Sequence, residues 1–150
     1  MIKYEHIYPN IESDAFWELN SNVEKRIEWD SERWNKGKVI EKKDNSIIIN
    51  WTSPKPPIPM INARDMLVEF FVVPNGAGEG RNVIVGKSVD HASCPPPKGW
   101  GSNERGNVRM FGSIIEKNPN GAGSKITHMR NIDMVGKFPE VAVKKGNENI

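Results

Sequence analysis

A single cysteine, Cys94, stands among 150 residues. It excludes an internal disulfide, and a chain that folds without one suits a reducing compartment, so a cytoplasmic location is expected. Charge of one sign is lacking too: 21 basic residues stand against 19 acidic, a net of +2. That balance excludes a nucleic-acid partner held by phosphate neutralisation, and no Lys/Arg stripe carries interleaved aromatics. No apolar run approaches the roughly 20 residues that cross a bilayer. The start, Met1-Ile2-Lys3-Tyr4-Glu5-His6, has no apolar segment of leader length, so neither a span nor a leader is expected. His6, His91 and His128 are too scattered for a metal motif. No metal and no cofactor are implied. With 37% hydrophobic and 27% charged residues the composition is that of a globular protein, and residues 1–150 are read as a single domain.

What the chain does have is apolar alternation, clearest over residues 63–89. Met66, Val68, Phe70 and Val72 share one face and all are apolar; Leu67, Glu69, Phe71 and Val73 make the other face mixed. Pro74-Asn75-Gly76-Ala77-Gly78-Glu79-Gly80 turns the chain, and Val83 to Val89 runs back, which predicts a β-hairpin. The Gly-rich turn opens no helix, so it is not a phosphate loop.

Residues 2–7 read as a short strand. Asn10 or Ser13 is placed to cap a helix bearing Phe16, Trp17, Leu19 and Val23, and Asn20-Ser21-Asn22 argues for two short helices rather than one. Val39 to Lys43, a turn at Asp44-Asn45, and Ile47 to Trp51 predict a second hairpin with Ile47, Ile49 and Trp51 on one face. The prolines of residues 53–61 remove ladder donors, so this segment is an extended loop carrying Ile58, Met60 and Ile61. Residues 108–116 form another strand, with Val108, Met110, Gly112 and Ile114 on one face, and residues 125–134 the next. Pro-Asn-Gly-Ala-Gly occurs at Pro74 and again at Pro119, between strands both times, which is turn chemistry rather than a repeat. After Pro139 a short C-terminal helix is expected. Short helices followed by an antiparallel meander give an α+β layout. Few helices are available to cover the apolar face of the sheet, so that face is either packed core or the wall of a cavity.

The order of motifs resembles the StAR-related lipid transfer (START) family, a lipid-binding domain of the helix-grip (Bet v1-like) fold. The resemblance rests on Trp29-Asp30 after the short helices, Arg64-Asp65 opening a strand after the proline loop, Asp90-His91 with Pro95-Pro96, Gly106-Asn107-Val108-Arg109, and Ile132-Asp133 followed by Gly136 and Phe138-Pro139. It spans nearly all of the chain. Family members begin with a helix and strands that have no room before Ile2 and end with a long helix where little follows Pro139, so the resemblance implies a domain shortened at both ends with a more open groove. In some relatives an acid–base pair lies in the cavity; the nearest positions here, Trp51 and Phe70, carry no charge.

The resemblance implies a cavity walled by Ile47, Ile49, Trp51, Met66, Val68, Phe70 and Met110, with His128 and Arg130 on the strand face of Ile126, Ile132 and Met134 as candidates to fix a headgroup, and Lys87 behind them. Pro57, Ile58, Met60 and Ile61 would form a lid loop whose tip touches a bilayer transiently. The expected partners are a lipid ligand and, briefly, a membrane surface, with the oligomeric state open. The expected role is to bind and transfer one lipid without catalysis. Two rival readings stand beside it: a small helix-grip hydrolase or cyclase using His128 or His91, and a protein-interaction module. Arg64, Asp65, Asp90 and Arg109 read as structural ion pairs at strand ends. Cys94 and His91 lack an evident third residue for nucleophilic catalysis.

Overall fold

Alternating apolar residues build one twisted antiparallel sheet, and two short helices lie against it. The structure is a computed structural model in which residues 1–57, 61–99 and 101–135 are described. The elements are β1 (Ile2–Tyr8), α1 (Ser13–Ser21), α2 (Arg26–Trp29), β2 (Asn35–Lys42), β3 (Ser46–Thr52), β4 (Arg64–Val73), β5 (Asn82–Ser88), β6 (Glu104–Arg105), β7 (Asn107–Lys117) and β8 (Ser124–Asp133). Strands run in the order β1-β8-β7-β5-β4-β3-β2, and β6 pairs in parallel with β4 off that path. The α+β expectation and both predicted hairpins hold. The helix bearing Phe16 and Trp17 does end at Ser21, and a second, four-residue helix follows. Its N-cap, however, is Glu12, with no side-chain hydrogen bond, and Ser13 is buried as the first helical residue. The helix expected after Pro139 falls outside the described residues.

Turn chemistry sets the hairpin registers. Asn75 takes a φ of 56°, and its Oδ1 accepts from the Gly80 N–H at 2.8 Å, closing the β4–β5 turn. The second Pro-Asn-Gly-Ala-Gly copy closes β7 onto β8. Gly123 there has a φ of +87°, and a Cβ on it would sit 2.0 Å from the Tyr8 carbonyl oxygen. No other residue lets the end of β1 lie so close to the start of β8.

The buried cluster lies on the inner face of the sheet. Ile49, Met66, Val68, Phe70, Ile84, Val108, Ile115 and Ile126 come from five strands, Val23 and Trp34 from the helical segment, with Tyr8, Phe16, Trp17 and Ile27 packed against them. Each large side chain of this cluster stabilises the fold by about 1.5–3 kcal/mol relative to exposure. Helix α1 meets β7 and β8, and α2 meets β2. The helices thus cover only part of the inner face.

On the outer face Leu67 is completely buried. Asp65 accepts Arg105 Nε from β6 and Asn50 Nδ2 from β3, the latter at 2.6 Å. Arg105 also donates to the carbonyls of Cys94 and Pro95, so one carboxylate anchors the 90–105 loop to β4. Arg64 donates to the carbonyls of Asn62, Met134 and Val135. With Arg64–Glu104 at 3.4 Å and Arg109–Asp133 at 3.2 Å, three of the four predicted residues, Arg64, Asp65 and Arg109, have ion-pair partners at strand ends.

Candidate functional site

Where helix cover ends, a cavity of about 200 Å³ opens on the inner face. Its floor is Trp51 of β3, Met66, Val68 and Phe70 of β4, and Val108 and Phe111 of β7; Ile132 and Met134 lie at its rim. The register explains why these meet. Ile47 faces Phe70, Phe70 faces Gly86, Gly86 faces Phe111, and Phe111 faces Arg130, so one row of residues runs from β3 to β8. Gly86 is the low point of that row. A Cβ on it would lie 2.8 Å from the Phe70 ring, so glycine lets Phe70 lie across β5.

Trp34, 7% exposed, reaches into the same space from the segment after α2. Its ring stacks on Trp51 at 4.4 Å and lies 5.6 Å from Phe70, which meets Phe111 edge-on at 6.0 Å. Part of the volume above Trp51 and Phe70 is therefore filled by the protein, and the cavity is what remains. The Arg26 guanidinium packs over Trp34, 5.0 Å from its centroid, and bonds Asp30 Oδ2 at 2.9 Å. Burial pushes the Arg26 pKa down while Asp30 holds it up.

Of the candidate residues, Trp51, Met66, Val68, Phe70 and Arg130 line the cavity. Ile49 is buried beneath it in the core, and Ile47 packs at the edge of the same cluster. Met110 does not line it. A bulge between Val108 and Met110 shifts the register by one residue, so Phe111, Ser113 and Ile115 face inward where Met110, Gly112 and Ile114 were expected. Lys87 is exposed on the outer face, opposite Glu69. His128 shares the inner face with Arg130 but sits deeper, its Nδ1 2.8 Å from Ser113 Oγ and its ring 4.9 Å from Tyr4. Burial, then the charge of Arg130, lowers its pKa from 6.5 to about 4, so it is neutral at physiological pH. Of the lid loop, Ile58 and Met60 lie outside the described residues. Pro57 is exposed, whereas Ile61 is only 6% exposed and is an anchor rather than a tip that touches a bilayer.

Trp34, Arg26 and Arg33 were not among the expected lining residues. They fall in a segment with no period to read, and only the Trp-rich composition of residues 29–34 hinted at an aromatic contribution. His91 does have partners: Nε2 lies 3.0 Å from Glu41 Oε2, and Nδ1 2.8 Å from Ser93 Oγ. The same Nδ1 accepts the Ser93 backbone N–H at 3.2 Å, which makes the group a turn lock, and none of its members lines the cavity. A more open cleft of about 540 Å³, between α1 and the β2–β3 hairpin, is bordered by the pairs Lys42–Glu24 and Lys43–Glu69 and lacks an enclosed apolar wall.

A curved antiparallel sheet gripping an apolar cavity beneath short helices defines the helix-grip class. The START domain family profile matches residues 1–148, and the chain belongs to that family. Human STARD10 is similar in structure with a TM-score of 0.76 at 23% identity, the match covering 96% of this chain and 55% of that one. Human StAR-related lipid transfer protein 5 gives a TM-score of 0.76 at 21% identity over 95% of this chain and 65% of its own. The Zhui aromatase/cyclase from Streptomyces sp. R1128 shares the fold more distantly, with a TM-score of 0.51 at 13% identity over 90% of this chain and 70% of that one. No curated protein sequence matches. The chain thus spans 55% and 65% of the two human proteins it resembles. Among the described residues no helix is long and apolar enough to cross a membrane.

Proposed function

We propose that this chain binds a single lipid in the cavity over Trp51, Met66, Val68 and Phe70 and carries it between membranes. The observation that supports the reading is the partly open, mainly apolar space on the inner face, in a chain that belongs to the START family. Burial of the lipid's apolar surface supplies the affinity, at about 25 cal/mol per Å². At about 200 Å³ the cavity is smaller than the roughly 300–1,000 Å³ of ordinary ligand sites, so part of the lipid leaves through the mouth. There Ile132 and Met134 are 39% and 37% exposed. This rim is where the protein touches a membrane while the lipid enters.

The test is uptake of fluorescent sterol, phospholipid and ceramide analogues by delipidated protein. Phe70 is unsuitable as the disabling site, because it is 3% exposed and a glutamate there would put an unpaired charge in the core. Ile132→Glu, at the exposed rim, charges the entrance instead and is expected to weaken uptake about tenfold while the fold survives. Uptake of none of the analogues would refute the reading.

A further inference from the structure

Among the described residues Arg130 has no counter-charge. Its Nε is buried with no hydrogen-bond partner, and among the described residues no carboxylate pairs with it. What its guanidinium does meet are rings, Tyr4 at 5.4 Å and Phe111 at 5.9 Å. Arg26 and Arg33 share the cavity. Asp30 neutralises Arg26 at 2.9 Å, whereas Arg33 is exposed and has no acidic partner among the described residues. The described lining holds these arginines and neither Asp nor Glu.

A buried N–H that donates to nothing costs free energy unless a guest supplies the acceptor. We infer that the lipid held here carries an anionic headgroup, a carboxylate or a phosphate monoester, whose oxygens accept from Arg130, with Arg33 adding attraction at the mouth. This rests on the lipid-binding reading above and narrows it to a ligand class. The planar guanidinium fork matches two oxygens of either group. A quaternary ammonium headgroup would seek an acid or a free aromatic face. The described lining has no acid, and Trp34 and Phe111 already lie against Arg26 and Arg130. A sterol offers a single neutral hydroxyl to accept from Nε and no charge to match the guanidinium. The depressed pKa of His128, partly caused by Arg130, is in keeping with a positive potential at this end of the cavity.

The experiment is equilibrium uptake by the delipidated full chain of four fluorescent probes: a fatty acid, a phosphatidic acid, a phosphatidylcholine and a sterol. The two anionic probes are expected to bind at least about tenfold more tightly than the other two, and to lose that advantage as ionic strength rises. Arg130→Gln should weaken the anionic probes by about 10- to 100-fold and phosphatidylcholine, whose phosphate is offset by its own ammonium, by clearly less. Arg130→Lys, which keeps the charge without the fork, should retain part of the advantage. The fatty acid against the phosphatidic acid tells carboxylate from phosphate. Equal uptake of the anionic and the net-neutral probes by the wild type overturns the inference and leaves the lipid-binding reading standing, whereas uptake of no probe sinks both. If Arg130→Gln fails to fold, Arg33→Gln alters only an exposed side chain and should cut the anionic advantage about two- to fivefold; an undiminished advantage overturns the inference.

Discussion

Trp34 lies flat on Trp51, ring centroids 4.4 Å apart and planes 6° from parallel. One tryptophan comes from an irregular segment and the other from mid-sheet, so the pair ties the helical end to the strand floor and sets how much of the inner face stays empty. Trp34→Ala removes a large ring that is 7% exposed. It should cost about 3–5 kcal/mol and widen the cavity. Urea unfolding followed by near-ultraviolet circular dichroism reads the first effect, and the molar ratio of bound lipid the second. A loss below about 1 kcal/mol would mean that the ring is not packed as described.

Gly86 makes room for Phe70. With Phe70 and Val68 atoms 2.8 and 2.9 Å from where a Cβ would stand, Gly86→Ala forces the ring to shift. A loss of about 1–3 kcal/mol is expected. Combining it with Phe70→Leu should recover part of that loss, because the clashing ring is gone. Strict additivity of the two changes in a double-mutant cycle would contradict the contact.

His128 makes stability depend on pH in a defined window. Burial, then the charge of Arg130, lowers its pKa from 6.5 to about 4, with Arg26, His6 and Arg33 acting in the same direction. The unfolded chain binds a proton near pH 6.5, and the folded chain resists it down to about pH 4. The contribution is therefore complete above pH 6.5 and is lost as pH falls toward 4. Partial exposure screens it to about 1–2 kcal/mol. Carboxylates titrate in the same range, so the readout is the wild type against His128→Gln, whose stability should fall less between about pH 7 and pH 4. Parallel pH profiles would contradict the assignment.

Asp65 anchors the 90–105 loop through Arg105. Both side chains are largely buried, at 7% and 16% exposure. Asp65→Ala should cost about 3–5 kcal/mol, since Arg105 then keeps its charge without its carboxylate. Guanidinium unfolding is a poor probe for an ion pair because the denaturant screens it, so urea midpoints are the measurement. A change within about 0.5 kcal/mol would place the pair among those that contribute little.

The strands and their inward sides were legible where the period of two runs unbroken: Met66, Val68, Phe70 and Val72, then Ile47, Ile49 and Trp51. The twin Pro-Asn-Gly-Ala-Gly turns were legible because few other residues tolerate their dihedrals. Met110 was misplaced because a bulge adds one residue to β7 and flips every side chain after it, and nothing in Val108-Arg109-Met110-Phe111 marks such an insertion. Trp34 and Arg26 could not be assigned because residues 22–34 carry no sustained period, and only tertiary contacts put them over the cavity. His91 with Glu41 was hidden for another reason: fifty positions separate them in the chain. Arg130 was legible as an inward residue on β8, but that no carboxylate among the described residues pairs with it is a property of the folded neighbourhood alone.

Lipid binding requires an inner face that holds a guest. Native mass spectrometry of freshly purified protein, and of the delipidated protein after incubation with mixed lipid vesicles, tests this most directly. The predicted spectrum shows the chain plus one lipid mass, an adduct that Ile132→Glu diminishes. A spectrum of bare chain alone, before and after incubation, would contradict it.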